Sequence, residues 1–461
     1  MAVQRSMIVM KFGGTSVESE TAIRRVTEIV RAAEVRRPVV VVSAMGKTTN
    51  KLLAMAREAA AGRRDQALGL LDELRLDHLR HGLPLAGAES ADLERFIRSH
   101  FEWLEEFVKG LAAVGELSLR SMDAIASAGE RLSSLIVSFA FRAAGMRAEH
   151  VDSRRVIVTD TRFTEARPLF ERTYAALKER VAPLAQEAVV VMGGFIGSTL
   201  DGQTTTLGRG GSDYSAAIIG AGIDAEEIQI WTDVDGMLTA DPRIIAGGHR
   251  VKSLSFAEAA EMAYFGAKVL HPATVLPAVE KNIPVVILNS RRPEAGGTRI
   301  ASEAVPSKNP VKSISCKRGI TIVNIRSTRM LMAHGFLRRI FEVFDRFTTS
   351  VDMVSTSEVS VSLTLDNTEN LRAITDEIRS FAEITAENDH ALVCLVGENI
   401  RHTPGIAGRA FQVLSKLNVR MISQGASLLN LGFVIADRDV PEAVAALHRE
   451  FFSELDPAVF D

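Results

Sequence analysis

The sequence predicts an α/β region, a mainly parallel sheet covered by helices, followed by a smaller α+β region built from two repeats. Three observations carry this. Runs such as Pro38-Val-Val-Val-Val-Ser43 are β-branched and lack polar alternation, which suits strands buried on both faces. Strand, glycine loop and helix follow one another twice in the first part of the chain, which is the grammar of α/β folds. Near the C-terminus Ile340-Phe-Glu-Val-Phe344 matches Ala410-Phe-Gln-Val-Leu414 at a spacing of 70 residues.

Length and composition set the frame. A chain of 461 residues has room for two or three domains. Its 54 basic and 57 acidic side chains leave a net charge of −3, so nothing electrostatic calls for nucleic acid or an anionic membrane as partner. Cys316 and Cys394 sit in strand-like sequence and read as buried thiols of a reducing compartment. The apolar run Met7-Ile-Val-Met10 is too short for a signal peptide, and no later run reads as a membrane span. The expectation is a cytoplasmic protein.

The elements follow in order. Met7-Ile-Val-Met10 is a buried strand that runs into Lys11-Phe-Gly-Gly-Thr-Ser-Val17, and Ile23, Val26, Ile29 and Val30 mark the next helix. Pro38-Val-Val-Val-Val-Ser43 is the second strand, ending in Ser43-Ala-Met-Gly-Lys-Thr-Thr-Asn50. Neither loop has the order of a Walker A motif, and no Gly-x-Gly-x-x-Gly follows the first strand. Residues 52–118 are mostly helical, with Phe101, Trp103 and Phe107 as packing residues. Glu130 opens a helix over 131–143. It serves either as a first-turn acid complementing the helix dipole or as a carboxylate for an ammonium group. Residues 151–158 and 188–192 are strand candidates, the second leading into Gly193-Gly-Phe-Ile-Gly197. Asp201-Gly202 marks a hairpin turn. Strands over 228–231 and 283–288 and a helix over 256–265 complete the region, and Gly296-Gly297 with the prolines at 306 and 310 marks a linker. We place the first domain at 1–300.

The stretch Thr204-Thr-Thr-Leu-Gly-Arg-Gly-Gly-Ser-Asp213 stands out. A glycine-rich turn opening a helix presents free N–H groups and the positive end of the dipole to an anion. Arg209 adds a fork that grips a carboxylate or phosphate with two hydrogen bonds. The plain alternative is a surface turn that needs its glycines only for geometry. In the C-terminal region each repeat reads helix, strand, polar turn, strand, helix, with strands at 351–354 and 359–363 and again at 419–422 and 428–435. Two βαββαβ units of this kind act as a ligand sensor or as a dimerisation module.

Taken in order, Lys11-Phe-Gly-Gly-Thr-Ser-Val17, Thr206-Leu-Gly-Arg-Gly-Gly-Ser-Asp213 and Gly266-Ala-Lys-Val-Leu-His-Pro272 resemble the aspartokinase family, and the tandem repeat resembles its ACT domains. The resemblance covers nearly the whole chain. It is nearest to the monofunctional lysine-sensitive class through Ser350-Val-Asp352 and Thr356-Ser-Glu-Val-Ser360. It implies the amino-acid kinase fold, an open and mainly parallel sheet between helix layers, with a catalytic domain at 1–300 and ACT units at 327–387 and 388–461, a strand at 311–326 being a further candidate for the latter. It also implies MgATP-dependent phosphorylation of the L-aspartate β-carboxylate to 4-phospho-L-aspartate, feedback inhibition by L-lysine, and a homodimer paired through ACT domains.

By resemblance Lys11, Asp213 and Lys268 serve catalysis, and Thr49, Glu130, Arg209 and Ser212 hold the substrate, with Ser43 a further candidate. ATP would meet Lys11, Gly13, Gly14, Thr232, Asp233, Arg243 and Lys268, bringing Mg²⁺ for which we assign no protein ligand. The effector would meet Met330, Phe336, Leu337, Ser350, Val351, Asp352, Ser357 and Glu358. Two positions depart from the family pattern: Leu238 stands where a tyrosine is usual and Ala333 where a serine is frequent. The chemistry fits the residues. An aspartate side chain, with an ordinary pKa of about 3.9, needs no general base, so catalysis rests on positioning and positive charge. A kinase for another small carboxylate such as glutamate, and a non-catalytic amino-acid sensor, are the rival readings.

Overall fold

The computed structural model describes residues 7–266, 270–327 and 334–461. The chain divides into two units, one made of 1–237 with 270–304 and the other of 238–269 with 305–461. The cut is therefore not linear, because the segment carrying residues 238–269 groups with the C-terminal unit.

The first unit is built on a sheet whose strands are β1 (Ile8–Phe12), β2 (Pro38–Val42), β3 (Ala148–Val151), β4 (Val189–Gly193), β5 (Glu227–Thr232), β6 (Val285–Asn289) and β7 (Gly297–Ala301), in the order β7-β6-β5-β1-β2-β4-β3. All neighbours run parallel except β6 and β7. The β-branched runs predicted this: every residue of β1, β2 and β4 is buried. Helices cover both faces. The helix Glu20–Ala32 starts at Ser19, whose hydroxyl accepts the Ala22 N–H, and buries Ile23, Val26, Ile29 and Val30 as its spacing required. Helices Arg64–Gly82 and Ser90–Val114 form most of the stretch 52–118, with Phe101 inside and Trp103 and Phe107 packed at the core's margin.

Three expectations need correction here. Residues 151–158 are not one strand: β3 ends at Val151, a 3-10 turn covers Ser153–Arg155, and a short strand Val158–Thr159 joins a separate sheet. Gly297 lies in no linker but opens β7. Leu119–Ala143, by contrast, leaves the reading of no membrane span uncorrected: it contains an 18-residue window of sufficient length and hydropathy, but 83% of that window is buried inside the protein, the placement of a core segment. Cys394 is buried, whereas Cys316 is only partly so.

In the second unit one sheet combines both repeats. Its strands are β8 (Ser313–Arg326), β9 (Val354–Thr356), β10 (Ser360–Leu365), β11 (Glu383–Val396), β12 (Met421–Gln424) and β13 (Asn430–Ala436), in the order β9-β10-β8-β11-β13-β12. The long strands β8 and β11 pair with each other along their length, while β10 joins one end of β8 and β13 the other end of β11. The strand at 313–326 thus serves both repeats. The repeat helices Phe336–Arg346 and Ile406–Val413 match the predicted pair, but the first short strand of each copy starts later than predicted, at Val354 and at Met421. Residues 351–353 instead lead into β9, with the Asp352 N–H donating to the Thr364 carbonyl at 3.0 Å.

Helix Phe256–Tyr264 also belongs to this unit. It opens with a capping box: the Ser255 hydroxyl accepts the Glu258 N–H, and the Glu258 carboxylate accepts the Ser255 N–H. Glu258 also forms an ion pair with Lys312 at 2.9 Å, both fully enclosed. Further along the helix Glu261 accepts from Ser427 and Asn430 of the second repeat.

Candidate active site

The glycine loops converge because they all leave the carboxyl ends of parallel strands, where open α/β sheets gather ligands. Backbone hydrogen bonds continue the ladder past the strand ends, from Gly13 to Trp231, from Ser43 to Phe12 and from Gly194 to Val42. A cleft of about 340 Å³ results, lined by Lys11, Gly14, Ser43, Gly46, Thr49, Glu130, Phe195, Arg209, Ser212 and Asp213, among others. Two glycines are there because a side chain cannot be. A Cβ on Gly14 would stand 2.8 Å from the Gly46 carbonyl oxygen, and one on Gly194 would stand 2.7 Å from the Ser212 Cβ. Gly210, with φ of 71°, caps the helix Gly211–Gly222, whose first turn carries Ser212 and Asp213 into the cleft.

Three ionisable groups define the cleft. Lys11, on the central strand β1, is nearly buried and pairs with Asp213 at 2.6 Å. This fixes the ammonium at the sheet end, where it faces the glycine loops. Glu130, in the first turn of Ala128–Ala143, is 3% exposed, and one of its carboxylate oxygens has no hydrogen-bond partner. Burial pushes its carboxyl up to about 8, against the pull of the Ala44 N–H bond. Arg209 lies exposed at the mouth and makes no ion pair among the described residues. The cleft therefore offers a fixed cation, a free guanidinium and an unpaired desolvated carboxylate, a set complementary to an α-amino acid.

Thr232 ends β5, and its carbonyl accepts both the N–H and the hydroxyl of Ser290. The adjoining Asp233 is exposed. Arg243 belongs to the other unit, where it forks onto Asp241. Lys268 and Met330 lie outside the described residues. Sequence reading missed Phe195 and Asp123. Phe195, held at φ of 65° with its N–H on the Ser215 hydroxyl, lines the cleft. Its signal was the Gly193-Gly194 pair after a buried strand. Asp123 is buried and accepts the Thr164 and Thr206 N–H groups and the Thr206 hydroxyl, which anchors the strand leading to the Gly208–Gly211 turn.

Among the expected effector residues, Asp352 is distinct. Its side chain is 4% exposed, and its carboxylate accepts from Lys317 Nζ at 3.0 and 3.2 Å and from the Tyr264 hydroxyl at 3.0 Å. Lys317 also reaches Asp366 at 2.6 Å. Burial pulls the Lys317 ammonium down, but Asp366 and Asp352 outweigh it and hold it above its ordinary range. Burial and the Asp352 carboxylate push the Tyr264 phenol up, so it stays a neutral donor. Phe336 packs on the core edge-to-face with Phe381, Leu337, Ser350 and Glu358 are exposed, Val351 is half-buried, and the Ser357 and Ser360 hydroxyls are 2.7 Å apart.

Fold and cleft together define a small-molecule kinase of the amino-acid-binding type, and the comparisons agree. The amino acid kinase family matches residues 6–289, and an ACT domain matches residues 393–451. Lysine-sensitive aspartokinase 3 of Escherichia coli is 38% identical over 97% of this chain and 99% of its own length. The chloroplastic aspartokinase 3 of Arabidopsis thaliana is 40% identical over 96% of this chain and 81% of its own length. The crystal structure of E. coli aspartokinase III in complex with aspartate and ADP (R-state) superposes with a TM-score of 0.83, at 36% identity over 97% of this chain and 100% of that one. The form in complex with lysine and aspartate (T-state) gives 0.82. The chain belongs to the aspartokinase family, the aspartate kinases among the amino acid kinases.

Proposed function

We propose that the chain transfers the γ-phosphoryl group of MgATP to the β-carboxylate of L-aspartate, forming 4-phospho-L-aspartate and ADP. The observation that carries this reading is Glu130, a buried carboxylate with an unpartnered oxygen in the same cleft as Arg209 and Lys11. Glu130 receives the substrate's α-ammonium and Arg209 its α-carboxylate, while Thr49, Ser212 and Ser43 add hydrogen bonds. The side chain then points its β-carboxylate at the phosphate bound beside Lys11. A β-carboxylate oxygen attacks the γ-phosphorus as the bond to the β,γ-bridging oxygen breaks, and ADP leaves with that electron pair. Lys11 offsets the charge on the transferring group, and Asp213 holds Lys11 in place. The N–H groups of Gly13 and its neighbours, with Thr232, Asp233, Arg243 and Lys268, serve the nucleotide, which brings Mg²⁺ with it.

The second unit takes L-lysine as inhibitor, with Asp352 as the acid for its ammonium. The lysine complex of the E. coli relative and the ACT match support this. The chain acts as a homodimer paired through this unit, where Val354 and Ile422 are exposed apolar side chains on short strands. Hydroxylamine trapping tests the reaction. ATP-dependent hydroxamate from L-aspartate, with none from L-glutamate or D-aspartate, is expected. Product from glutamate would overturn the substrate, and no product from folded, ATP-binding protein would leave a sensor.

A further inference from the structure

Resting on the reading of Asp352 as the effector's acid, the structure assigns Lys317 the role of a resident competitor. We propose that its ammonium occupies Asp352 in the free protein and moves to Asp366 when an effector's ammonium takes its place. The carboxylate of Asp352 is almost fully enclosed, and three donated bonds, two from Lys317 and one from Tyr264, already meet it. A carboxylate offers about four lone-pair sites. An incoming ammonium that joined Lys317 there would set two like charges within a few ångströms in a desolvated spot.

The geometry provides a second seat. Asp366 stands 2.6 Å from the same ammonium and its side chain is 41% exposed, so Lys317 can rest there against water. One cation shared between two carboxylates leaves the cluster one negative charge in excess, which an effector's ammonium neutralises. Tyr264 stays on Asp352 in both arrangements, and Lys317 lies 5.3 Å over its ring. It holds the carboxylate in place and ties it to helix Phe256–Tyr264, which Glu258 and Glu261 fasten to the sheet. The effector threshold is then set by how firmly Lys317 holds Asp352, not by effector contacts alone.

Calorimetric binding of L-lysine to the full chain tests this on wild type, K317M, K317R and D366N. Removing the competitor should tighten binding about tenfold, the size of a hydrogen bond to a charged group. K317R should stay within about twofold of wild type, since the charge remains. D366N removes the second seat of an exposed pair and should weaken binding about threefold. Weaker binding by K317M would overturn the inference, since it would mean that Lys317 holds the effector's carboxylate. An unchanged affinity would overturn it equally. Should K317M fail to fold, D366N decides, and no change there counts against displacement. Lysine bound by wild type but indifferently by the variants sinks only this inference. Lysine bound by neither wild type nor K317M sinks the effector reading with it, and lysine bound by K317M alone upholds both.

Discussion

Glu130 and Asp352 are both buried carboxylates suited to an ammonium group, yet the chain treats them in opposite ways. Glu130 is left with an unpartnered oxygen and a carboxyl raised to about 8. Asp352 is capped by Lys317 and Tyr264. On the proposed function, the difference follows from two tasks, substrate binding at Glu130 and effector binding at Asp352. A substrate site gains when the ligand itself supplies the missing charge, because binding then relieves a desolvated acid. A regulatory site has to stay closed until the effector reaches a threshold, and an internal counter-ion supplies one. The same logic separates the two lysines. Lys11 is held by Asp213 to face a ligand, whereas Lys317 is divided between two acids.

The sharpest break in the comparison is at Lys11. Lys11→Ala should lower kcat by about 10³-fold, the scale for removing one preorganised transition-state contact. The thermal transition should shift less than turnover, since the Asp213 side chain, with Oδ1 buried, still has 18% of its surface exposed to solvent. Near-normal turnover in a hydroxamate assay would refute the phosphate role of Lys11.

Glu130→Gln comes next, and here pH gives the signature. In the folded chain the carboxyl is half-protonated near pH 8, against 4.5 as its ordinary value, so between those limits the folded state holds a proton that the unfolded state has lost. Stability should therefore fall as pH rises from about 4.5 to about 8, and the glutamine variant should lose that part of the decline. Binding the substrate's ammonium favours the ionised form. The affinity for L-aspartate should rise towards pH 8 and level off above it, with a proton released on binding at pH 7. Glu130→Gln should raise KM about 100-fold, the loss of a charged partner, and flatten the profile. A wild-type KM that is flat from pH 6 to 8 would count against an open acid.

At the regulatory acid the expected effect is smaller. Asp352→Ala should raise the lysine concentration for half-inhibition about 30-fold, as for a lost charge-assisted bond, and leave Lys317 on Asp366. Inhibition at the wild-type concentration would move the effector's ammonium elsewhere.

These sites were legible to different degrees for physical reasons. Lys11, Glu130 and Arg209 could be read because each is tied to a local pattern, a strand end, a helix start or a glycine turn, and local patterns survive in sequence. The β-branched strands were legible for the same reason. The cap on Asp352 was not, because Lys317 and Tyr264 reach it from distant strands and helices, and nothing near 352 announces them. The strand Gly297–Ala301 was hidden by its glycine, which reads as a turn but here lets the backbone lie against Ile287. The division of the chain was hidden too, since residues 238–269 group with the C-terminal unit through side chains such as Glu258 and Glu261 that look like ordinary helix acids.

The smallest predicted effect sits at Asp123, which shows that a buried acid need be neither open nor capped by a cation. Among the described residues it meets only neutral donors: Oδ2 takes the Thr164 and Thr206 N–H groups, and Oδ1 takes the Thr206 hydroxyl at 2.6 Å. Burial raises its carboxyl against the pull of those bonds. An asparagine can keep its carbonyl oxygen on the two N–H groups and turn its amide towards the Thr206 hydroxyl, which can accept as well as donate. Asp123→Asn should therefore cost about 1 kcal/mol or less, with kcat nearly unchanged. Asp123→Ala strands three donors and should cost about 3 kcal/mol, loosening the strand that leads to Arg209 and raising KM for L-aspartate before it touches kcat. Equal losses for the two variants in chemical denaturation would mean that the charge of Asp123 matters in itself, and would make it a third kind of working acid rather than a scaffold for the substrate loop.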